Sequence, residues 1–316
     1  MKLVVVTGCL GFIGSYVARR CLDLGWKVYG IDKCTYAANL DFLEEVREEE
    51  NFTFLKQDIC DLDSIPDCDY VINLAAETHV GNSIIDSDCF LESNINGVKN
   101  LLELIRKKPT NVSSRPILFH FSTDEVYGDI VEGAHTEEDH LKPSNPYSAS
   151  KAAADMLIEA WARTYDIDYV ILRPTNNYGV RQNAEKLIPL SVKLLQRGRK
   201  IRLHNEGEPY RNWLHAEDTA RAVTAIIESG ETNKIFNVAG GFEQKNKETV
   251  RKVISNFYDS DINWQDFVDL TYIRPGQDVR YSLNDDRLRD IGWSPKKNFD
   301  EEIADIVRYY KTHFRW

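Results

Sequence analysis

The chain is predicted to fold as an α/β protein, a doubly wound parallel sheet with a smaller C-terminal substrate-binding lobe, and three observations carry that prediction. Short continuous apolar runs rich in β-branched residues recur through the first two thirds of the sequence, the pattern of strands buried on both faces. Amphipathic stretches separate them, and strands that alternate with helices pair in parallel because each crossover returns the chain to the same end of the sheet. Gly8, Gly11 and Gly14 fall between the first such run and the first amphipathic stretch, where a Rossmann-like sheet meets a dinucleotide.

Taken in order, residues 3–6 (Leu-Val-Val-Val) read as the first strand, 15–24 as a helix stopped by Gly25, and 27–31 as the second strand, a complete βαβ unit. Further strands are expected at 52–55, 70–74, 117–121 and 169–172, with helices near 95–107 and 149–164. After Tyr178-Gly179 the texture changes. Pro189, Pro209, Pro275 and Pro295 interrupt, strands become sparse and aromatics cluster, which marks a second lobe. Residues 235–239 still read as a buried strand preceded by a helix at 216–229, so the domains interleave. Residues 1–178, with 212–240 returning, are expected to form the dinucleotide domain, and 179–211 with 241–316 the smaller substrate lobe.

At 316 residues with 42% hydrophobic content the chain can fill two cores. A formal net charge of −11 argues against a nucleic-acid partner, so positive charge for any phosphate-bearing substrate has to be local. The apolar run behind Met1 is too short for a signal peptide or a membrane span, and no later run is longer, so the expectation is a soluble cytoplasmic protein with no membrane partner. The six cysteines, Cys9, Cys21, Cys34, Cys60, Cys68 and Cys89, show no Cys-x-x-Cys pair and no metal spacing. They read as reduced small apolar side chains, with no disulfide and no metal site. The run from Glu44 to Glu50 reads as the solvated end of a helix.

The residues also suggest chemistry. Asp32 closes the second strand, where a carboxylate can accept both hydroxyls of an adenosine ribose and repel a 2′-phosphate, favouring NAD over NADP as the cofactor; Lys33 beside it pulls the other way. Tyr147 and Lys151 are spaced i, i+4 at the start of a helix, so both side chains lie on one face. The ammonium is then expected to stabilise a tyrosinate and lower the tyrosine pKa, making Tyr147 a base for a hydroxyl proton as hydride leaves. Thr123-Asp124-Glu125 adds two adjacent carboxyls, which divide into acid and base when their environments push their pKa values apart. A chain with both sets should oxidise a sugar, dehydrate it and reduce it again.

These motifs resemble those of the extended short-chain dehydrogenase/reductase superfamily, and within it the chain is similar to the dTDP-glucose 4,6-dehydratase family. The similarity runs through residues 7–14, 31–40, 73–80, 122–128, 147–151, 176–179, 185–189, 211–214 and 274–276. It implies that Tyr147 takes the proton from the sugar 4-hydroxyl, Thr123 positions the 4-oxygen, Glu125 removes the hydrogen on carbon 5 and Asp124 donates to the departing 6-hydroxyl. Hydride then returns to carbon 6, with no net redox, in a lyase reaction that feeds deoxysugar synthesis. For NAD it implies Gly8, Phe12, Ile13, Gly14, Asp32, Lys33, Thr35, Asp58, Ile59, Leu74, Ala75, Ala76, Tyr147 and Lys151. For the nucleotide sugar it implies His79, Asn176, Asn177, Lys186, Leu187, His204, Arg211, Asn237, Arg274 and Gln277. Relatives pair through two helices per subunit, so the resemblance also implies a homodimer, through residues 95–107 and 149–164.

Several positions depart from the family pattern. His204 aligns where a tyrosine stacks on the base, Gln277 where a histidine follows Arg-Pro-Gly, and Val279 where arginine is frequent. Gly81-Asn82-Ser83 replaces Asp-Arg-Ser, and Val180 replaces proline. The nucleotide therefore stays open among dTDP, UDP and others. A nucleotide-sugar 4-epimerase is the alternative enzyme; it would share Tyr147 and Lys151 but needs neither Asp124 nor Glu125. A catalytically silent dinucleotide-binding regulator would be expected to lose Tyr147 or Lys151.

Overall fold

The computed structural model describes residues 1–108, 115–260, 262–272 and 278–313. Its first part runs β1 (Leu3–Thr7), α1 (Phe12–Asp23), β2 (Lys27–Asp32), α2 (Leu40–Val46), β3 (Phe52–Lys56), β4 (Tyr70–Asn73), α3 (Val80–Ile85) and α4 (Asp88–Leu91). A π-helical turn, Glu92–Asn96, leads into α5 (Gly97–Arg106), followed by β5 (Ile117–Phe121), α6 (Pro146–Tyr165), β6 (Tyr169–Pro174) and β7 (Asn176–Tyr178). The remainder comprises α7 (Leu187–Gln196), β8 (Ile201–Arg202), β9 (Tyr210–His215), α8 (Ala216–Ser229), β10 (Lys234–Val238), β11 (Phe242–Lys245), α9 (Asn246–Tyr258), β12 (Val268–Asp269), α10 (Asp286–Asp290) and α11 (Phe299–Thr312).

Seven strands form one parallel sheet in the order β10-β6-β5-β4-β1-β2-β3. Strand pleating decides which side chain serves which face. Val4 and Val6 of β1 pack with Val17, Cys21, Val223 and Ile226 of α1 and α8, whereas Val5 joins Leu101, Ile105, Ala154 and Ile158 of α5 and α6 on the opposite face. All three valines are 0% exposed, and each contributes about 1.5–3 kcal/mol by leaving water. That two-sided burial is why β1 is a continuous apolar run rather than an alternating one. The expected strand at 235–239 is β10, which returns to the sheet beside β6, and the helix expected at 216–229 is α8.

The region beyond Tyr178 holds more strand than its sequence suggests. β7, β9 and β11 make a three-stranded sheet, and β8 pairs with β12. β7, β8 and β12 are too short, and β11 too polar, to show a periodicity. A second core gathers α7, α9 and α11 around Tyr178, Trp213 and Phe299.

All six cysteines are free, and they differ in exposure. Cys9 and Cys21 are buried, Cys34, Cys60 and Cys68 half-buried, and Cys89 is exposed. The run after Glu44 is a solvated helix end whose Glu45 and Glu49 pair with Arg181 and Arg19 at 2.7 Å. Among the described residues no helix is long and apolar enough to cross a membrane.

Candidate active site

The order β4-β1-β2 means that the loops after β4 and β1 leave the sheet in opposite directions, opening a crevice at the strand C-termini. Two adjoining cavities occupy it and share Gly8, Gly11, Ala37, Leu74 and Ala76 in their walls.

The first cavity is lined by Gly8, Asp32, Lys33, Thr35, Asp58, Ile59, Leu74, Ala75 and Ala76, all predicted for the cofactor. Gly8 has φ +66°, and a Cβ there would lie 2.7 Å from the Ala75 backbone nitrogen; a Cβ on Gly14 would meet the Gly8 carbonyl at 2.0 Å. Both positions need glycine for the turn and the helix to pack. α1 follows Gly11 at its N-cap, with no side-chain cap and no acidic residue in its first turn, so its leading N–H groups are available to an anion. Asp32 accepts the Leu10 N–H at 3.0 Å and the Cys34 N–H at 2.8 Å, one on each oxygen, which fixes the carboxyl and leaves a lone pair on each. Lys33 is committed elsewhere. Its Nζ donates to Ser93 at 2.9 Å and pairs with Asp58 at 3.3 Å and Glu77 at 3.6 Å. A dinucleotide with a free 2′-hydroxyl fits this donor set, because Asp32 faces the cavity and the adjacent cation is neutralised.

The second cavity brings together Phe12, Ile13, Gly14, Thr123, Asp124, Glu125, Tyr147, Lys151, Asn176, Asn177 and Lys186. Thr123 follows β5 in extended conformation (φ −156°, ψ 154°) and caps the short 3₁₀ turn that carries both carboxyls. Its Oγ1 accepts the Glu125 N–H at 3.3 Å and donates to Asp124 Oδ1 at 3.2 Å, and the Thr123 side chain acts to lower the pKa of the Tyr147 hydroxyl. Asp124 is 3% exposed, and its Oδ2 has no hydrogen-bond partner among the described residues. Burial and the neighbouring Glu125 charge push its pKa up to about 7. Glu125 is also raised by burial, but Arg211 and the Asn145 amide, which donates to Oε2 at 3.3 Å, pull the other way. A carboxyl whose pKa is strongly raised therefore sits beside one whose partners Arg211 and Asn145 favour ionisation.

α6 presents Tyr147, Lys151 and Asp155 on one face through i, i+4 spacing. Asn145 caps it, accepting the Ser148 N–H at 2.9 Å, and Pro146 opens it, so Tyr147 is held in the first turn. The Tyr147 ring meets Phe90 edge-on, and its N–H donates to Ser83 at 3.2 Å. The expected electrostatics need correction here. Burial first, and then the Glu125 charge, raise the Tyr147 hydroxyl pKa rather than lowering it, while burial lowers that of Lys151 to about 8. Lys151 Nζ stands 3.4 Å from His120 Nε2 on β5.

The predicted substrate residues divide. Asn176 Oδ1 is buried without a partner among the described residues, and Lys186 lies at the cavity wall, donating to the Thr78 carbonyl at 3.2 Å. The Asn177 amide is already engaged, donating to the Thr175 carbonyl and accepting from Thr219. Arg211 does not line the cavity, though its charge acts on Asp124 and Glu125 and it stacks over Tyr281 at 5.3 Å. Asn237 is a correction. It is 0% exposed, accepts from Tyr127 and donates to the His135 and Asn284 carbonyls, so β10 pairing buries it beneath the sheet end. Leu187 packs against the second core, and His79 caps α3 by accepting the Asn82 N–H. His204 packs against Tyr272 at 4.9 Å, away from both cavities. Arg274 and Gln277 lie outside the described residues.

Sequence reasoning missed Ser122, Thr175, Gln182, Asn183 and Glu185, which also line the second cavity. Glu185 had a signal, since it precedes Lys186 in a matched run. It accepts from Tyr36 at 3.0 Å and pairs with Lys186 at 3.3 Å.

A parallel sheet with a glycine turn, and a Tyr/Lys helix facing a carboxyl pair, together define a member of the short-chain dehydrogenase/reductase class. The chain belongs to the family described as GDP-mannose 4,6 dehydratase, whose model matches residues 5–306. It is 37% identical over 334 residues to a dTDP-glucose 4,6-dehydratase of Haemophilus influenzae, covering 98% of each chain. It is 37% identical over 327 residues to one of Streptomyces niveus, covering 99% of this chain and 94% of that one. Among solved structures, a dTDP-glucose 4,6-dehydratase of Streptomyces venezuelae with NAD bound superposes with a TM-score of 0.91 at 34% identity, covering 99% and 98% of the two chains.

Proposed function

We propose that this protein is an NAD-dependent nucleotide-sugar 4,6-dehydratase that converts dTDP-glucose to dTDP-4-keto-6-deoxyglucose. The observation that carries the reading is the pair Asp124 and Glu125, joined through Thr123 to Tyr147 in the same cavity. Bound NAD supplies a hydride acceptor for carbon 4 and a donor for carbon 6. The α1 N-terminus, Asp32, Thr35, Asp58, Ile59 and the Leu74–Ala76 segment would hold it. Tyr147 receives the 4-hydroxyl proton, with Thr123 fixing the oxygen it comes from. Glu125 then removes the acidified hydrogen on carbon 5, and Asp124, already protonated, gives its proton to the 6-hydroxyl so that it leaves as water. Asn176 and Lys186 face the rest of the substrate.

Residues 1–178 and 212–240 serve as the cofactor domain in this reading, and 179–211 with 241–316 as the nucleotide-sugar lobe. The protein works in the cytoplasm as a homodimer paired through the helices at 97–106 and 146–165. An epimerase would need no acid positioned for a leaving hydroxyl, which is why the unpartnered oxygen of Asp124 favours dehydration. Incubation with NAD and, separately, dTDP-glucose, UDP-glucose and GDP-mannose tests the reading. Loss of the mass of one water from dTDP-glucose with no net NADH is expected. Unchanged mass with an epimerised sugar would overturn it, and turnover of another nucleotide alone would reassign the base.

A further inference from the structure

A buried row of polar side chains runs beneath both cavities, and nothing in the reaction assigned above uses it. Thr7 and His120 are 0% exposed and Asn73 1%. The Ala75 N–H, on the turn that lines the first cavity, donates to Thr7 Oγ1 at 3.4 Å. Thr7 Oγ1 donates to Asn73 Oδ1 at 2.6 Å, and Asn73 Nδ2 donates to His120 Nδ1 at 3.0 Å. His120 Nε2 faces Lys151 Nζ at 3.4 Å.

The direction of this row is set at one end. A backbone N–H can only donate, so the Thr7 hydroxyl accepts there, and Asn73 Oδ1, at 2.6 Å, takes its own proton. That orients the Asn73 amide with its nitrogen toward His120, so Nδ1 of the imidazole accepts and the ring proton sits on Nε2. We infer that His120 is a positioning residue which, locked by Thr7 and Asn73 as its Nε2–H tautomer, presents a donor to Lys151 and biases that side chain toward the free amine. An ammonium has no lone pair to accept this proton, whereas an amine does. Burial independently keeps His120 uncharged, lowering its pKa well below the ordinary histidine value.

The other groups around Lys151 act from known sides. On α6, Tyr147 lies one turn before it and Asp155 one turn after, and the Asp155 charge favours the ammonium. Asp155 is itself neutralised by Arg173 of β6 at 3.0 Å and accepts from Ser122 at 2.9 Å. Its other oxygen stands 4.0 Å from His120 Nε2, too far for a hydrogen bond. Asp124 and Glu125 share the second cavity's wall with Lys151. His120 is thus the counterweight to Asp155, and the two together set the pH at which the Tyr147–Lys151 pair becomes able to take a proton.

The inference rests on the reading of that pair as the proton acceptor, and its test has one arm that does not. In the purified protein carrying ¹⁵N-labelled histidine, the His120 resonance, assigned by its loss in His120→Phe, should report a neutral Nε2–H ring. An Nδ1–H tautomer or an imidazolium would overturn the proposal whatever the enzyme does. The second arm follows NADH absorbance in a single turnover of a nucleotide pentose, which has no carbon 6 and so stops after oxidation. His120→Phe should move the rising limb of the rate against pH up by about one unit, with KM unchanged. Thr7→Val, which frees Asn73 to turn over while keeping shape, should move it the same way and stands in if His120→Phe does not fold. A lower rate at an unmoved limb in Thr7→Val would reduce His120 to packing and overturn the proposal.

Discussion

Asp124 and Glu125 are neighbours in sequence to which the proposed reaction gives opposite duties, and what separates them is which groups each can reach. Asp124 has a buried oxygen without a partner among the described residues, and a pKa of about 7; Glu125 has Asn145 and Arg211. The acid must be protonated, so the dehydration rate should fall as pH rises through about 7. The base must be ionised, and because its pKa is raised the rate should also fall at low pH, at a point above the ordinary glutamate range. A profile of kcat against pH checks both limbs; an acid limb at or below the usual glutamate value would contradict the assignment. Glu125→Gln should still oxidise the sugar but lose about 10²- to 10⁴-fold in water release, seen as bound NADH that accumulates; unimpaired product formation would remove Glu125 as the base. That these two carboxyls sit together at the cavity was legible in the sequence because a local tripeptide carries them. The contact of Lys151 with His120 was not, since it joins a helix to a strand far away in the chain and no spacing announces it.

Among the elements, α6 links stability to chemistry. Asn145 accepts from the Ser148 N–H as its cap and donates to Glu125 Oε2 through the same amide group. Asn145→Ala should cost about 1 kcal/mol of stability, read from the denaturation midpoint, and should also raise the pH at which Glu125 ionises. Asn145→Asp keeps a capping acceptor but takes away the donor, so it should restore the midpoint without restoring the acid limb; recovery of both would show that the cap alone mattered. The large-sheet strands and the helices at their cores were legible from apolar runs and helical spacing, with ends displaced by a few residues. Asn237 was misplaced for a related reason. Its strand was recognised, but strand pairing, which no single run reveals, decides whether a polar side chain at the strand end meets the cavity or the underlying network.

At the scale of the whole molecule, the proposed reading has an acidic chain meet an anionic substrate with positive charge confined to a few places, Lys186 at the cavity wall and Arg211, whose charge acts on Glu125. The return of β10 to the main sheet was legible only because it keeps the apolar signature of that sheet. α6 carries an exposed Met156, and Ile84, Ile85 and Leu91 are exposed on neighbouring helices, which supports pairing of two copies there. Light scattering on the eluting protein should give twice the chain mass of 36.4 kDa, and Met156→Asp should halve it; a monomer in the unaltered protein would contradict the pairing. The central claim is that one active site removes a hydride from carbon 4, expels water and gives the same hydride back at carbon 6. Its most direct measurement uses dTDP-glucose carrying deuterium on carbon 4, mixed with unlabelled substrate. The account predicts a product lighter by one water, with the deuterium on carbon 6 of the molecules that brought it. Loss of the label to solvent, or a product of unchanged mass with the deuterium still on carbon 4, would contradict it.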